Sequence, residues 1–300
     1  MAVALSAKDL QKSYKHLTVL AGVELTLHDG EVCALLGRNG AGKSTFIRIL
    51  LGLAFADSGR AEILGSRPGT QHSRVAFLSE NLAIYPYLTA IDNLRVAALS
   101  AGRPAPTRTQ AAEMLDRVAL VDVRRKRAGT FSLGMKRRLQ LAMATLSRRA
   151  DFLILDEPTN GLDVHGLHAF KEFLTEERAR GTTVLMASHA LLELQEVITS
   201  YAVLEQGVIQ RRGEWDSHAP TITSQRIQVA AIDLGAATSA VSALGEVRVV
   251  SPTVFTIGGP VPARALYAAL HHANVIPEGV EREELSLEDI FQQVVDGAAP

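Results

Sequence analysis

The sequence predicts an α/β protein: a mostly parallel sheet with crossover helices, an inserted helical subdomain, and a small C-terminal α+β domain. Three observations carry this expectation. From Ala2 to about Arg212, short apolar runs ending in Gly or Asp alternate with longer segments of helical period. Between Leu88 and Arg149 the strand pattern vanishes. Beyond about Pro220 short apolar runs return with different helix spacing.

In chain order, Val32–Leu36, Val75–Leu78, Phe152–Leu155, Thr183–Ala187 and Ala202–Leu204 read as strands, continuous apolar runs of the kind needed where both faces of a sheet are covered. In the helical insertion, Thr89 and Thr107 each stand three residues before an acid or amide, Asp92 and Gln110, a capping-box pattern ahead of apolar residues at helical spacing. Ser132 reads as the N-cap of a further helix whose apolar face carries Leu139, Ala142, Met143 and Leu146. Lys136, Arg137 and Arg138 fall in its first turns, where the helix dipole disfavours cations, so they read either as partners for an approaching anion or as a solvated basic face.

The stretch from Arg211 to Pro220 marks a boundary. After it, Ile227–Ile232, Val247–Val250 and Val254–Ile257 read as strands, and Ala263–His272 and Ser286–Val295 as helices, the last with Ser286 and Asp289 as its cap pair. The expected domains are 1–215, with a helical subdomain at about 86–150, and 222–300. His271 and His272 are adjacent on a helix, where side chains diverge, and read as no metal site.

Composition narrows the classes. Apolar residues make up 47% and charged residues 21% of the 300, which excludes disordered, collagenous and disulfide-stapled chains. With 31 Lys and Arg against 32 Asp and Glu, the net charge of −1 lacks the basic footprint of a nucleic-acid binder. The lone Cys33 lies in an apolar run and reads as a small buried hydrophobe, in keeping with a reducing cytoplasm. No stretch reaches the roughly 18 consecutive apolar residues that cross a bilayer, and the N-terminal residues lack the basic start and apolar core of a secretory signal.

The chemistry concentrates at three strand ends. Gly37-Arg38-Asn39-Gly40-Ala41-Gly42-Lys43-Ser44-Thr45 follows the strand Val32–Leu36 and opens a helix near Ser44, which is the G-x-x-x-x-G-K-[ST] phosphate loop in its required setting. Its glycines let the backbone wrap a phosphate, successive N–H groups make an anion nest, Lys43 adds a cation for the β and γ phosphates, and the Ser44 hydroxyl can ligate Mg²⁺. The run Phe152–Leu155 ends in Asp156-Glu157-Pro158, where Asp156 can hold Mg²⁺ through water and Glu157 can take a proton from, or orient, an attacking water. The strand Thr183–Ala187 delivers Ser188 and His189 to the same edge, where His189 can contact a γ-phosphate.

Together these residues resemble the nucleotide-binding subunit of ABC transporters over about residues 1–213. The resemblance implies a P-loop NTPase core of the ABC ATPase kind, with ATP and Mg²⁺ as its ligands. Tyr14 stands as far before Gly37 as the family's adenine-stacking aromatic, and Glu80 occupies the place of the Q-loop glutamine near the metal and the membrane subunit. Phe131-Ser132-Leu133-Gly134-Met135 stands at the signature segment, and Gly161-Leu162-Asp163 at the D-loop. In such proteins Ser132 and Gly134 would meet the γ-phosphate of ATP held by a second cassette, so the resemblance implies a homodimer or heterodimer acting on a separate integral membrane permease, on the inner face of the membrane.

Departures from the family pattern accompany these matches. Glu80 replaces Gln but keeps an oxygen ligand, Arg38 replaces a frequent Pro, and Leu133 and Met135 bring bulk where backbone should approach a phosphate. Glu80, Ser-Leu-Gly-Met and Ile-Tyr-Pro-Tyr-Leu-Thr resemble the branch that exports antibiotics, bacteriocins and lantibiotics, and the Ser-Leu-Glu-Asp-Ile-Phe of the tail resembles drug-exporter ATPases. The competing readings are a non-transport ABC ATPase working on nucleic acid or ribosomes, disfavoured by the single cassette and the near-neutral charge, and a phosphotransferase, which leaves the signature and D-loop segments unexplained.

Overall fold

The computed structural model describes residues 2–70, 74–79, 83–144, 146, 150–188, 194–216, 222–259, 261–284 and 286–297. Two long strands, β1 (Val3–Tyr14) and β2 (Leu17–His28), pair as an antiparallel hairpin. Then β3 (Val32–Leu36) leads through a loop into α1 (Lys43–Leu50), and β4 (Ser58–Ile63) returns to the free edge of β1. This three-stranded antiparallel sheet departs from the crossover pattern expected from Ala2 onward. Its physical basis lies in β2, where buried Val23, Leu25 and Leu27 alternate with the more exposed Glu24, Thr26 and His28, the period-two signature of a strand covered on one face.

The main sheet adds β5 (Val75–Leu78), β6 (Phe152–Asp156), β7 (Thr183–Ala187), β8 (Ser200–Glu205) and β9 (Val208–Glu214) in the order β5-β6-β7-β3-β8-β9. All pairs are parallel except the edge pair β8 and β9. Every residue of β3 and β7 is buried, as the unbroken apolar runs require of central strands. Phe46, Ile47, Ile49 and Leu50 of α1 join Leu35, Phe152, Ile154 and Leu185 in one core, so the helix after the phosphate loop is pinned to the sheet.

Between β5 and β6 lie α2 (Ala90–Ser100), α3 (Arg108–Asp116) and α4 (Leu133–Ala144), the expected helical insertion. Thr89 Oγ1 accepts from Asp92 N at 3.1 Å, and Thr107 with Gln110 closes a reciprocal capping box. After β6, α5 (Val164–Ala179) crosses back to β7.

The chain divides into two compact units, Met1–Ser217 with Phe291–Pro300, and His218–Ile290. The second holds β10 (Ile222–Gln228), α6 (Leu234–Val241), β11 (Val247–Ser251), β12 (Val254–Gly258), α7 (Ala263–His272) and β13 (Gly279–Glu284). Its antiparallel order β11-β12-β10-β13 and its β-α-β-β-α-β sequence are those of a split βαβ, ferredoxin-like sandwich. Ile227, Phe255, Ile257, Leu266 and Leu270 fill its core. The expected strand Ile227–Ile232 ends instead at Gln228, with Ile232 91% exposed at the approach to α6. The final helix α8 (Leu287–Gly297) starts at the Ser286 cap, which accepts from Asp289 N at 3.1 Å. The sequence did not signal α6, whose fully buried residues are only Ala237 and Val241 with Leu234 half-buried beside them, or β13, a polar edge strand.

Candidate functional site

Parallel register brings three strand ends to one sheet edge. Leu35 of β3 and Asp156 of β6 both pair with Ala187 of β7, so the loop after β3, the acids ending β6 and Ser188 emerge side by side. His189 and Glu80 lie outside the described residues.

The loop between β3 and α1 has glycine where nothing larger fits. A Cβ on Gly37 would collide with the Leu204 carbonyl, and one on Gly42, at φ 110°, would stand 2.7 Å from Leu20 Cδ2 and 2.9 Å from the Val19 oxygen. Gly42 is also the N-cap of α1, with no side chain capping the helix and no acid in its first turn, so the first N–H groups are left to an anion. Arg38, Asn39, Gly40 and Ser44 are exposed, whereas Ala41, Lys43 and Thr45 are buried.

Lys43, only 8% exposed, donates from Nζ to the Gly37 carbonyl at 2.6 Å and to the Arg38 carbonyl at 3.3 Å. Burial pulls its pKa below the ordinary lysine value, and Glu157, Asp156 and Glu205 oppose that shift. A desolvated cation at the head of the loop, held by its own backbone carbonyls, is suited to a phosphate oxygen.

Glu157 is held in a backbone conformation foreign to its type. Its φ is +47°, in the left-handed region, while its N–H donates to the Ala187 carbonyl at 2.8 Å. Asp163 caps α5, its Oδ1 accepting from Gly166 N at 2.7 Å. Ser132 Oγ accepts from Met135 N at 3.2 Å, which makes Ser132 the cap of α4. The two segments touch: a Cβ on Gly134 would lie 3.3 Å from the Gly161 oxygen, and one on Gly161 would meet Leu133 Cδ2 at 2.7 Å. The Leu133 side chain therefore leans on Gly161. Tyr14, at the end of β1, is 45% exposed, with Lys12 Nζ 5.4 Å from its ring centre.

The basic run is the main correction. Arg137 and Arg138 are 4% and 9% exposed, so neither forms a solvated face, and both guanidinium groups donate to backbone carbonyls. Arg137 Nη2 donates to the Asp156 oxygen at 3.0 Å and closely to the Glu157 oxygen, Nε to the Pro158 oxygen at 3.3 Å, and Nη1 to the Ser79 oxygen at 3.1 Å. Arg138 Nη1 reaches the Ala119 oxygen at 3.0 Å. A signal was present: Gly134, Arg137, Arg138 and Leu141 recur at helical spacing on one buried face of α4.

With the geometry in place, comparison with known proteins is decisive. The family model described as ABC transporter matches residues 20–160. The bacitracin transport ATP-binding protein BcrA of Enterococcus faecalis is 34% identical over 212 residues, covering 69% of this chain and 68% of BcrA. This chain belongs to the ABC transporter ATP-binding family. The lantibiotic transport ATP-binding protein SrtF of Streptococcus pyogenes is likewise 34% identical, over 71% of this chain and 91% of SrtF. A solved ATP-binding subunit of an ABC transporter superposes with a TM-score of 0.62 at 31% identity, covering 70% of this chain and 90% of that one. This ABC ATPase binds and hydrolyses ATP, and among its described residues no helix is long and apolar enough to cross a membrane.

Proposed function

We propose that this ATPase is the motor of an exporter for antibiotic-like or peptide molecules: two cassettes close around ATP and drive a separate membrane permease from its cytoplasmic side. The observation that carries the site assignment is the meeting, at one sheet edge, of the phosphate loop, a buried Lys43 and the acids Asp156 and Glu157. The exporter class rests on likeness to proteins named for bacitracin and lantibiotic transport. The ATP-binding domain is residues 1–215 and the accessory domain begins at 222; its expected extent to 300 is shortened, since Phe291–Pro300 group with the first unit and the second ends at Ile290.

Gly37 to Thr45 cradle the phosphates through backbone N–H groups and the N-terminus of α1, and Lys43 supplies charge to the β and γ phosphates. Tyr14 stacks on the adenine. Ser44, Asp156 and Glu80 would hold Mg²⁺, which when bound neutralises phosphate charge; the exposed Ser44 hydroxyl and the carboxylate at the end of β6 suit such an oxygen-preferring ion. Glu157 takes the proton of the attacking water as its oxygen bonds to the γ-phosphorus, the bond from that phosphorus to the β-bridging oxygen breaks, and ADP and phosphate leave. His189 steadies the γ-phosphate. Ser132 and Gly134, at the tip of α4, face the ATP of the second cassette, with Asp163 beside them.

Glu157→Gln keeps the shape and removes the base. Turnover is expected to fall by on the order of 10²- to 10⁴-fold with ATP affinity kept and the ATP-bound dimer longer lived. Hydrolysis at the parental rate sinks the assignment.

A further inference from the structure

We infer that Arg137 is a positioning residue for Glu157, an inference that rests on the general-base reading above. Three features of the structure meet at this guanidinium. First, it is nearly sealed from solvent, and four backbone oxygens, those of Ser79, Asp156, Glu157 and Pro158, accept from it. Gln140 Oε1, one turn along α4, accepts from Nη1 at 3.1 Å and steadies the fork. Second, the three consecutive carbonyls it grips belong to the turn that carries Glu157 in its left-handed conformation. A residue with a Cβ persists there only if the surroundings over-determine it. The surroundings are the Ala187 carbonyl on the N–H side, and Arg137 with Asn160 N–H, at 3.3 Å, on the carbonyl side. Third, Ser79, whose oxygen it holds, directly follows the last residue of β5 and precedes Glu80 in the chain.

One side chain on the signature helix therefore joins that helix, the end of β5 and the acidic turn. The chemistry of the fork explains the residue type. A planar guanidinium offers five donors in fixed directions and can satisfy four carbonyls at once, which the three rotating donors of a lysine on a single nitrogen cannot span. Neighbouring Arg138 serves as an internal control: also buried, it donates to the Ala119 carbonyl in the helical insertion, with no hydrogen bond to the acidic turn among the described residues.

The test compares Arg137→Lys with Arg138→Lys in the full chain, measuring ATPase rate against ATP concentration, equilibrium ATP binding and thermal unfolding. For Arg137→Lys, kcat is expected to fall on the order of 10- to 100-fold, the scale of a misplaced catalytic group, with ATP affinity within about twofold of parental. For Arg138→Lys, the melting temperature falls and kcat holds. Single-turnover hydrolysis of Arg137→Lys combined with Glu157→Gln is expected to match Glu157→Gln alone, since a positioning residue has nothing to add once its target is gone. A folded Arg137→Lys protein with parental kcat overturns the inference, as do additive losses in the double variant or an equal kcat loss in Arg138→Lys. Parental turnover in Glu157→Gln alone sinks the general-base reading and this inference with it, whereas parental turnover in Arg137→Lys alone sinks only the inference. If Arg137→Lys does not fold, Arg137→Gln provides the same comparison with a shorter neutral donor.

Discussion

Removing the Glu157 carboxylate in two ways separates its chemistry from its backbone. Glu157→Ala and Glu157→Gly both delete the base, so both are expected to lose turnover by about 10²-fold or more. They differ only in a Cβ held at φ +47°. At an ordinary site Gly is the less stable of the two by about 0.5–1 kcal/mol, because it has more freedom to lose on folding. In the left-handed region a residue with a Cβ is penalised by roughly 1–2 kcal/mol. The difference leaves Glu157→Gly more stable than Glu157→Ala by about 0.5–1 kcal/mol, a reversal of the usual order. For a unit of this size that amounts to roughly 2 °C in melting temperature. Paired thermal and urea unfolding, read by circular dichroism, is the assay. An alanine variant as stable as the glycine variant, or more so, refutes the claim that the acidic turn stores strain.

Lys43→Ala removes the desolvated cation of the phosphate loop. The loss of charge-assisted bonds worth about 1.5–3 kcal/mol should weaken ATP binding roughly 10- to 150-fold by calorimetric titration, and unchanged affinity contradicts the loop's role. Asp163→Ala should destabilise by about 1 kcal/mol through loss of the α5 cap, while Asp163→Ser keeps the cap; reduced turnover in the serine variant isolates a contribution to catalysis, and parental turnover denies one. Cys33 is fully buried, and burial pushes its thiol up to about 12. The native protein at pH 8 should resist thiol reagents that label it once unfolded. Because the folded thiol keeps a proton that the unfolded one sheds above about pH 9, stability should decline from there toward pH 12 relative to Cys33→Ala, and a flat difference between the two profiles contradicts the burial.

Strand ends were the most legible part of this protein. The phosphate loop, the acids after Phe152–Leu155 and the residues after Thr183–Ala187 each follow a run too apolar to be anything but a central strand, and such strands leave their C-terminal ends at one edge. Helix caps at Thr89, Thr107, Ser132 and Ser286 were equally plain, since capping is a local exchange between side chain and backbone over three residues. The antiparallel hairpin of β1 and β2 was less so, although alternation in β2 signalled it. In the second unit, α6 and β13 escaped because each hides too few apolar residues to stand out against loop composition.

The identity of the chemistry was written along the chain, because a phosphate-binding turn and a strand ending in two acids are local sequence patterns that need little beyond their own neighbours. Arg137 and Arg138 mark the other kind of information. Side by side and alike in composition, they were indistinguishable until folding set one against the turn of Glu157 and the other against Ala119. The strained backbone of Glu157 and the lean of Leu133 onto Gly161 belong to the same class. Which carbonyls a buried guanidinium meets depends on elements 19 to 58 positions away, and only their packing decides it.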